Sequence, residues 1–178
     1  MHLHPLLAGR SSPTRFDPVY EVDEAGVELL LEAARWAPSA GNSQPWSFIV
    51  GRRGDPTHRR LVGHLAPSSA AWAADASVLM ANLCHCFVEG TDWPYSDFAH
   101  YDLGQAVAHL TVQAVAMGLH VRQFRAFNQE GIAADFDVPP HWEVTTMAAV
   151  GRGALVPESG SGAARERLPL DEMRWMSI

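Results

Sequence analysis

Apolar residues recur at helical spacing after Asp23, a residue type that commonly caps the start of a helix. They form one stripe that a helix would bury, and they are Val27, Leu30, Leu31 and Ala34. Pro38 cannot continue a helix and biases Ala37 out of the helical region. The pattern therefore predicts a helix that begins after Asp23 and ends just before Pro38.

Shorter apolar runs and cap signals predict the remaining small elements. The expected strands are 47–50, 77–88 and 144–150, with a mixed strand or loop at 119–127. The expected short helices run from about 56 to 66 and from about 128 to 136. Asp55 followed by Pro56 starts the first of these helices, and Asn128 starts the second. We expect Pro67 to close the first helix.

The most distinctive predicted helix runs from Leu103 to Met117, with Asp102 as its expected cap and Gly118 as its left-handed end. It is apolar on every side and contains no aspartate, glutamate, lysine or arginine. Such a helix must be buried on all sides, which is difficult for a chain of 178 residues unless a second subunit helps. We therefore predict a homodimer with this helix near its core.

The region that follows the last predicted strand changes in composition. Residues 153–164 are rich in glycine, serine and alanine, which is typical of a linker. Residues 165–178 form a tail that is not of low complexity. The length suits one domain with a sizeable core, so we treat 1–178 as a single domain.

Charge and hydropathy exclude several classes of protein. With 13 basic and 20 acidic residues, the formal net charge is −7, which argues against a general affinity for nucleic acid. No apolar run approaches the length needed to span a membrane, and the first ten residues lack the pattern of a signal peptide. These observations predict a cytoplasmic protein without a membrane partner.

The two cysteines lie in the sequence Cys84-His85-Cys86, inside an apolar run. Alternation along a strand would place both cysteines on one face and the histidine on the other. A zinc site needs more ligands, at a different spacing, than this triplet supplies. We therefore interpret both residues as buried thiols and expect no metal site.

The break after the first predicted helix contains the polar stretch from Ser39 to Gln44, between two prolines. The amides of Asn42 and Gln44 offer donors and acceptors, which suit a neutral polar ligand such as a ribityl chain or a pyrimidine edge. A capped loop between a helix and a strand would have the same composition. The stretch alone does not decide between these interpretations.

Two arginines and three hydroxyl residues are grouped near the start of the chain, between Arg10 and Arg15. Guanidinium groups match phosphate oxygens, and hydroxyls add further donors, so the group could form an anion site. A solvated arm is the other interpretation of this segment.

Several separated motifs together resemble those of the nitroreductase-like flavoproteins, which are FMN-dependent oxidoreductases that form intertwined homodimers. The motifs are Arg10-x-Ser12, APSAGNSQPW at 37–46, DLG at 102–104, GL at 118–119, AVG at 149–151 and RxRLPL at 165–170. Their order and spacing agree over almost the whole chain. The resemblance implies an α+β fold with a small mixed or antiparallel sheet flanked by helices, and a C-terminal tail exchanged between the subunits.

The resemblance also implies which residues bind FMN. Arginines at both ends of the chain would hold the phosphate, while the 38–42 segment would line the ribityl chain and ring, in a site shared between subunits. Segment 123–127 would bring backbone amides to the flavin N5. The full predicted set is Arg10, Ser11, Ser12, Thr14, Pro38, Ser39, Ala40, Asn42, Ser69, Arg125, Ala126, Arg165 and Arg167.

The activity implied is ping-pong transfer of a hydride from NAD(P)H to the flavin and then of electrons to an organic acceptor such as a nitroaromatic or a quinone. Because the flavin carries out the chemistry, we assign no catalytic side chain. Two alternatives remain open, a specialised biosynthetic flavin dehydrogenase and a degenerate binding protein of the same fold. The second is suggested by Thr14, Ser69 and Ala126, which depart from the residues usual in the family.

Overall fold

The computed structural model describes residues 2–154 and 166–175. Six α-helices and four strands lie in the described part of the chain. The helices are α1 (Pro5–Gly9), α2 (Glu24–Arg35), α3 (Pro56–Gly63), α4 (Pro67–Ala73), α5 (Ala99–Ala116) and α6 (Gln129–Asp135). The strands are β1 (Trp46–Arg52), β2 (Val78–His85), β3 (His120–Phe124) and β4 (Trp142–Gly151). No helix among the described residues is both long enough and apolar enough to cross a bilayer.

The four strands form one sheet in the order β1-β2-β4-β3, and every neighbouring pair is antiparallel. The central strand β2 is buried over nearly its whole length, which its continuous apolar sequence requires. The outer strands β1 and β3 are the two edges of the sheet. The α+β fold with a small antiparallel sheet is confirmed.

Helices cover both faces of this sheet. We call the side covered by α2 and α5 the α5 face, where Leu30, Leu110 and Val150 belong to one buried cluster. We call the other side the α6 face, where Leu61, Ile132 and Met147 belong to a second cluster. Alternate residues of β2 and β4 contribute to the two clusters, as the two-residue period of a strand requires.

Three predicted caps are confirmed. Asp23 accepts a hydrogen bond from the Gly26 backbone N–H at 2.8 Å, and Asn128 accepts one from Gly131 at 2.9 Å. Asp55 caps α3 in the same way. Gly118 has a φ of 72°, the left-handed conformation expected after α5.

Three expectations about local structure are wrong, and one short helix was not predicted. Asp102 does not cap α5, because the helix begins three residues earlier at Ala99. Pro67 starts α4 rather than closing α3, since proline is well suited to the first turn of a helix. The short helix α1 was not predicted, and the strand expected to reach residue 88 ends at His85.

Helix α5 is buried on one side only. Its buried residues follow one stripe, which includes Leu103, Leu110 and Ala114. The opposite side exposes Tyr101, Ala108 and His109. A helix of such apolar composition therefore leaves one face uncovered within a single chain, and the predicted homodimer stays a prediction.

Candidate functional site

The segment after α2 forms a strained polar loop, which we call the 38–44 loop. It contains a single 3-10 turn at Ala40–Asn42. Gly41, Asn42 and Gln44 all have positive φ, at 58°, 55° and 48°. Asn42 and Gln44 lack the freedom of glycine, and backbone strain of this kind persists only where the surrounding structure maintains it. Both side chains are exposed.

Three hydrogen bonds hold the loop in this conformation. The Asp102 Oδ2 atom, in the first turn of α5, accepts from the Ala40 backbone N–H at 2.9 Å. The Ser39 Oγ atom accepts from the Gln44 backbone N–H at 3.0 Å. The Tyr95 hydroxyl donates to the Ser43 carbonyl at 3.0 Å. Because Asp102 is only 2% exposed, it joins the loop directly to the core.

A stack of rings supports the tyrosine that contacts the loop. His85 lies between Tyr95 and Trp142, with ring centroids at 3.7 Å and 4.6 Å. Burial, followed by the neighbouring His141, lowers the pKa of His85. A neutral imidazole is suited to stacking between two aromatic rings. The stack therefore supports Tyr95, whose hydroxyl contacts the loop.

The N-terminal hydroxyl and arginine residues lie beside β3 and the end of β4. The Arg10 Nη1 atom donates to the Ser12 Oγ atom at 3.1 Å. Arg122, on β3, donates to the Pro13 carbonyl at 3.1 Å. Phe16 forms a bridge with Gly153, just beyond β4. Ser11 is half-buried and Thr14 is exposed in the same segment.

Ser69, Arg125 and Ala126 lie near the exit of β3 but are engaged in local contacts. The Ser69 hydroxyl is 1% exposed and donates to the carbonyls of Ala66 and Ala126. Arg125 donates to the Thr145 carbonyl and to the Gln129 side chain, both at 2.6 Å. These bonds favour a structural role for Ser69 over direct contact with a cofactor.

Of the two tail arginines in the predicted set, one falls in the described part of the chain. Arg167 is exposed, and its Nη1 atom donates to the Glu166 carbonyl at 2.8 Å. Arg165 lies outside the described residues. The tail from 166 to 175 is exposed throughout, and Trp175 is 98% exposed.

Eight of the thirteen predicted residues fall into two groups of four at opposite edges of the sheet, while Ser69, Arg125 and Ala126 lie apart from both groups. The 38–44 loop leads into β1, whereas the Arg10–Thr14 segment lies beside β3. Three strand spacings separate these edges, which amounts to roughly 14 Å. The two groups also lie toward opposite ends of β4. Trp46 pairs with Cys84, which in turn pairs with Glu143 near the start of β4, so the 38–44 loop lies toward that end. The Arg10–Thr14 segment lies toward the other end, because Phe16 pairs with Gly153 just beyond β4.

The chemistry of the two groups fits the two ends of FMN. A guanidinium paired with a hydroxyl suits a phosphate. The exposed amide of Asn42, on a loop held by Asp102, suits the neutral ribityl chain or ring. The sequence did not reveal the supporting roles of Asp102 and Tyr95, because each contact joins segments far apart in the chain.

Comparison with known proteins identifies the family of this chain. The family model "Nitroreductase family" matches residues 7–82. An uncharacterised 15.4 kDa protein of Mycolicibacterium smegmatis is 35% identical over 147 residues, which cover 72% of this chain and 96% of that protein. The chain belongs to the nitroreductase family.

Two further members of this comparison are informative. The 5,6-dimethylbenzimidazole synthase of Rhodospirillum rubrum is 28% identical over 165 residues, covering 77% of this chain and 74% of that protein. A crystal structure of an oxidoreductase containing FMN superposes with a TM-score of 0.80 at 28% identity, covering 86% of this chain and 78% of that one. The predicted resemblance to the nitroreductase family is confirmed.

Proposed function

We propose that this protein is an FMN-dependent oxidoreductase that takes electrons from NAD(P)H and passes them to an organic acceptor such as a nitroaromatic or a quinone. The observation that carries the proposal is the 38–44 loop, where Asn42 is held at positive φ with its amide exposed. Strained backbone segments that the surrounding structure holds in place cluster at ligand-binding sites. Family membership makes FMN the ligand whose chemistry fits it.

The chain's own residues have distinct tasks in this proposal. Arg10 and Ser12 bind the phosphate, with Arg167 as a further cation for it. Asn42 binds the ribityl chain or ring, and Asp102 orients the loop through the Ala40 N–H. FMN, when bound, accepts a hydride and delivers electrons to the acceptor.

We further propose that each site is shared between two subunits. The two groups of residues lie at opposite edges of the sheet, so a second copy of the chain would bring the 38–44 loop of one subunit to the Arg10 segment of the other. The uncovered face of α5 is suited to such a contact. Between α2 and α5 lies a groove of about 490 Å³ that includes Leu29, Trp36 and His109.

The exposed apolar residues are consistent with an interface. Trp36 at the end of α2 and Tyr101 on α5 are 72% and 69% exposed. In the tail, Leu170 and Trp175 are 75% and 98% exposed. Contiguous exposed apolar patches mark interaction sites in many proteins. We propose that the tail packs on the partner subunit, as the resemblance implies.

Flavin binding at the loop is tested with Asn42→Gly. Glycine keeps the positive φ without strain and removes only the amide, so the loss of about one hydrogen bond predicts a roughly tenfold weaker affinity for FMN. Asp137→Gly is the matched control, because Asp137 is exposed and has a φ of 51° elsewhere on the surface. Titration by quenching of flavin fluorescence measures both. Equal affinities for Asn42→Gly and the parent chain would contradict the assignment.

The shared site is tested with a heterodimer of Arg10→Ala and Asn42→Ala chains, isolated with two different tags. If each site combines Arg10 of one subunit with Asn42 of the other, one site of the heterodimer carries both lesions and the other is intact. Flavin content should then be half that of the parent dimer, while each variant homodimer binds poorly. Two impaired sites would show instead that each chain forms its own site.

A specialised biosynthetic oxidation is the second candidate, favoured by the similarity to the Rhodospirillum rubrum synthase. Stopped-flow bleaching of the bound flavin by NADH and by NADPH separates the two. Rapid bleaching followed by turnover with a quinone supports the general oxidoreductase. Bound flavin that neither donor reduces would favour the biosynthetic role, and protein that refuses FMN would favour a binding protein.

A further inference from the structure

Four side chains with metal-binding atoms converge under the first turn of α5. Cys84, Cys86 and His100 bring two sulfur atoms and one ring nitrogen within 4.8 Å of one another. Glu143 adds a carboxylate oxygen, since its Oε2 atom lies 3.1 Å from the His100 Nε2 atom and 3.8 Å from the Cys86 Sγ atom. Cys84 lies on β2, Cys86 follows the end of that strand, His100 lies on α5 and Glu143 lies on β4, so only the two cysteines are close in sequence.

The sheet register explains how these groups meet on the α5 face. Cys84 pairs directly with Glu143 across β2 and β4. A bulge in the pairing places Thr145 as an extra residue between Val144, which pairs with Leu83, and Thr146, which pairs with Asn82. Because a bulge shifts the alternation by one residue, Glu143 points to the side of α5 instead of the α6 face.

We propose that Cys84, Cys86, His100 and Glu143 bind a zinc ion. Two thiolates, one imidazole and one carboxylate form a four-ligand set of the kind that zinc takes in tetrahedral sites. The set would occupy all four coordination positions of the zinc ion, so the ion would have a structural role. It would link α5 to the ends of β2 and β4. The inference concerns a site separate from the proposed flavin contacts and does not depend on them.

The separations among the Cys86, His100 and Glu143 atoms are close to those of a tetrahedral site. Bonds of about 2.3 Å to sulfur and about 2.0–2.1 Å to nitrogen or oxygen give ligand-to-ligand separations of roughly 3.3–3.8 Å. The three separations among Cys86, His100 and Glu143 are 3.1, 3.8 and 3.9 Å. Shifts of a few tenths of an ångström would therefore bring these three atoms to bonding positions. The Cys84 Sγ atom, which lies within 4.8 Å of the Cys86 and His100 atoms, would have to move closer to Glu143 to complete the set.

The surroundings orient the carboxylate and leave a path for the ion. The Glu143 Oε1 atom faces the Gln129 and Arg125 side chains at 3.5 and 3.9 Å, so Oε2 is left toward His100. Hydrogen bonds to the carboxylate oxygen that does not bind the metal are common around metal sites. Cys84 is buried, Cys86 is half-buried and His100 is exposed, so the cluster opens to solvent on the side of α5.

The test uses the full-length chain, reduced and stripped with a chelator, and then titrated with Co²⁺ alone as a spectroscopic substitute. One cobalt ion per chain should bind, with a thiolate-to-cobalt charge-transfer band and the visible bands of tetrahedral cobalt. Added Zn²⁺ should remove both. X-ray absorption of the zinc form should give two sulfur and two nitrogen or oxygen neighbours.

Variants identify the ligands. Cys86→Ser and His100→Ala should each weaken zinc binding by about 100-fold or more, as judged by competition with a chromophoric chelator. His2→Ala is the control, because His2 is exposed and lies outside both the cluster and the proposed subunit contact. Circular dichroism checks that each variant is folded. The proposal is overturned by cobalt without a thiolate band, by equal zinc affinity in Cys86→Ser, or by a Cys84–Cys86 disulfide in the protein purified without reductant.

Discussion

The hydrogen bond between Asp102 and Ala40 connects the core to the 38–44 loop, and Asp102→Ala tests it most directly. The carboxylate comes from the first turn of α5 and accepts from the Ala40 N–H at 2.9 Å. In the alanine variant, this N–H loses its acceptor and the position of Asp102, which is 2% exposed, loses three heavy atoms. Both stability and flavin affinity should therefore fall.

The magnitude follows from the type of bond. A hydrogen bond to a charged group contributes about 1.5–3 kcal/mol, and a buried donor left without a partner costs a similar amount. We expect Asp102→Ala to lower the free energy of unfolding by about 2–3 kcal/mol. Asp102→Asn retains the shape and an oxygen acceptor, so it should lose less than about 1.5 kcal/mol. Weaker bracing of the loop should reduce FMN affinity about tenfold in the alanine variant.

Urea unfolding of the flavin-free protein, followed by circular dichroism, measures the first effect, and FMN titration of the folded variants measures the second. The order parent, Asp102→Asn, Asp102→Ala should appear in both measurements. If Asp102→Ala unfolds at the same urea concentration as the parent, the bond does not hold the loop. If stability falls while FMN affinity is unchanged, Asp102 supports the core alone.

Three further predictions concern the framework around the site. Gly51→Ala should lower the free energy of unfolding by at least about 1–3 kcal/mol, because the new Cβ would lie 2.5 Å from the His58 backbone nitrogen. An unchanged melting temperature would refute this close packing of α3 on β1. Burial lowers the pKa of His58 below its ordinary value of 6.5, so the unfolded chain binds the proton more readily and stability should fall as the pH drops below about 6.5. His58→Gln should flatten that dependence in unfolding measured from pH 7.5 to 5, and an identical slope would exclude His58 as its source. Ser69→Ala should lower the free energy of unfolding by about 1 kcal/mol, because it removes the donor to the Ala126 carbonyl, and flavin content per folded chain should not change. A loss of flavin without a loss of stability would indicate instead that Ser69 contacts the cofactor.

The features that the sequence predicted well depend on residues close together in the chain. A cap needs only a side chain and an N–H three residues later, as Asp23 and Gly26 demonstrate. Likewise, Gly118 marks the end of α5 because glycine alone adopts positive φ without cost. The family motifs were also recognisable, since each is a short run of residues in a fixed order.

The role of Asp102 could not be predicted in the same way. As an acidic residue before an apolar helix, it has the pattern of a cap, and the local sequence favours that interpretation. Its actual partner, the Ala40 N–H, lies 62 residues away in the chain. The start of α5 at Ala99 moves Asp102 from the cap into the first turn, where its side chain turns toward the loop. Only the tertiary contact between α5 and the loop distinguishes the two roles.

The cysteine pair shows why local spacing could not reveal the side-chain cluster that we propose as a zinc site. Alternation correctly placed Cys84 and Cys86 on one face, but the other two candidate ligands come from 14 and 57 residues beyond Cys86. One of these, Glu143, also requires the bulge in β4, because unbroken alternation from Met147 would place it on the α6 face. A single extra residue in a strand therefore decides whether three ligands or four face α5. No count of ligands along the sequence contains that information, since the bulge is a property of the pairing between β2 and β4.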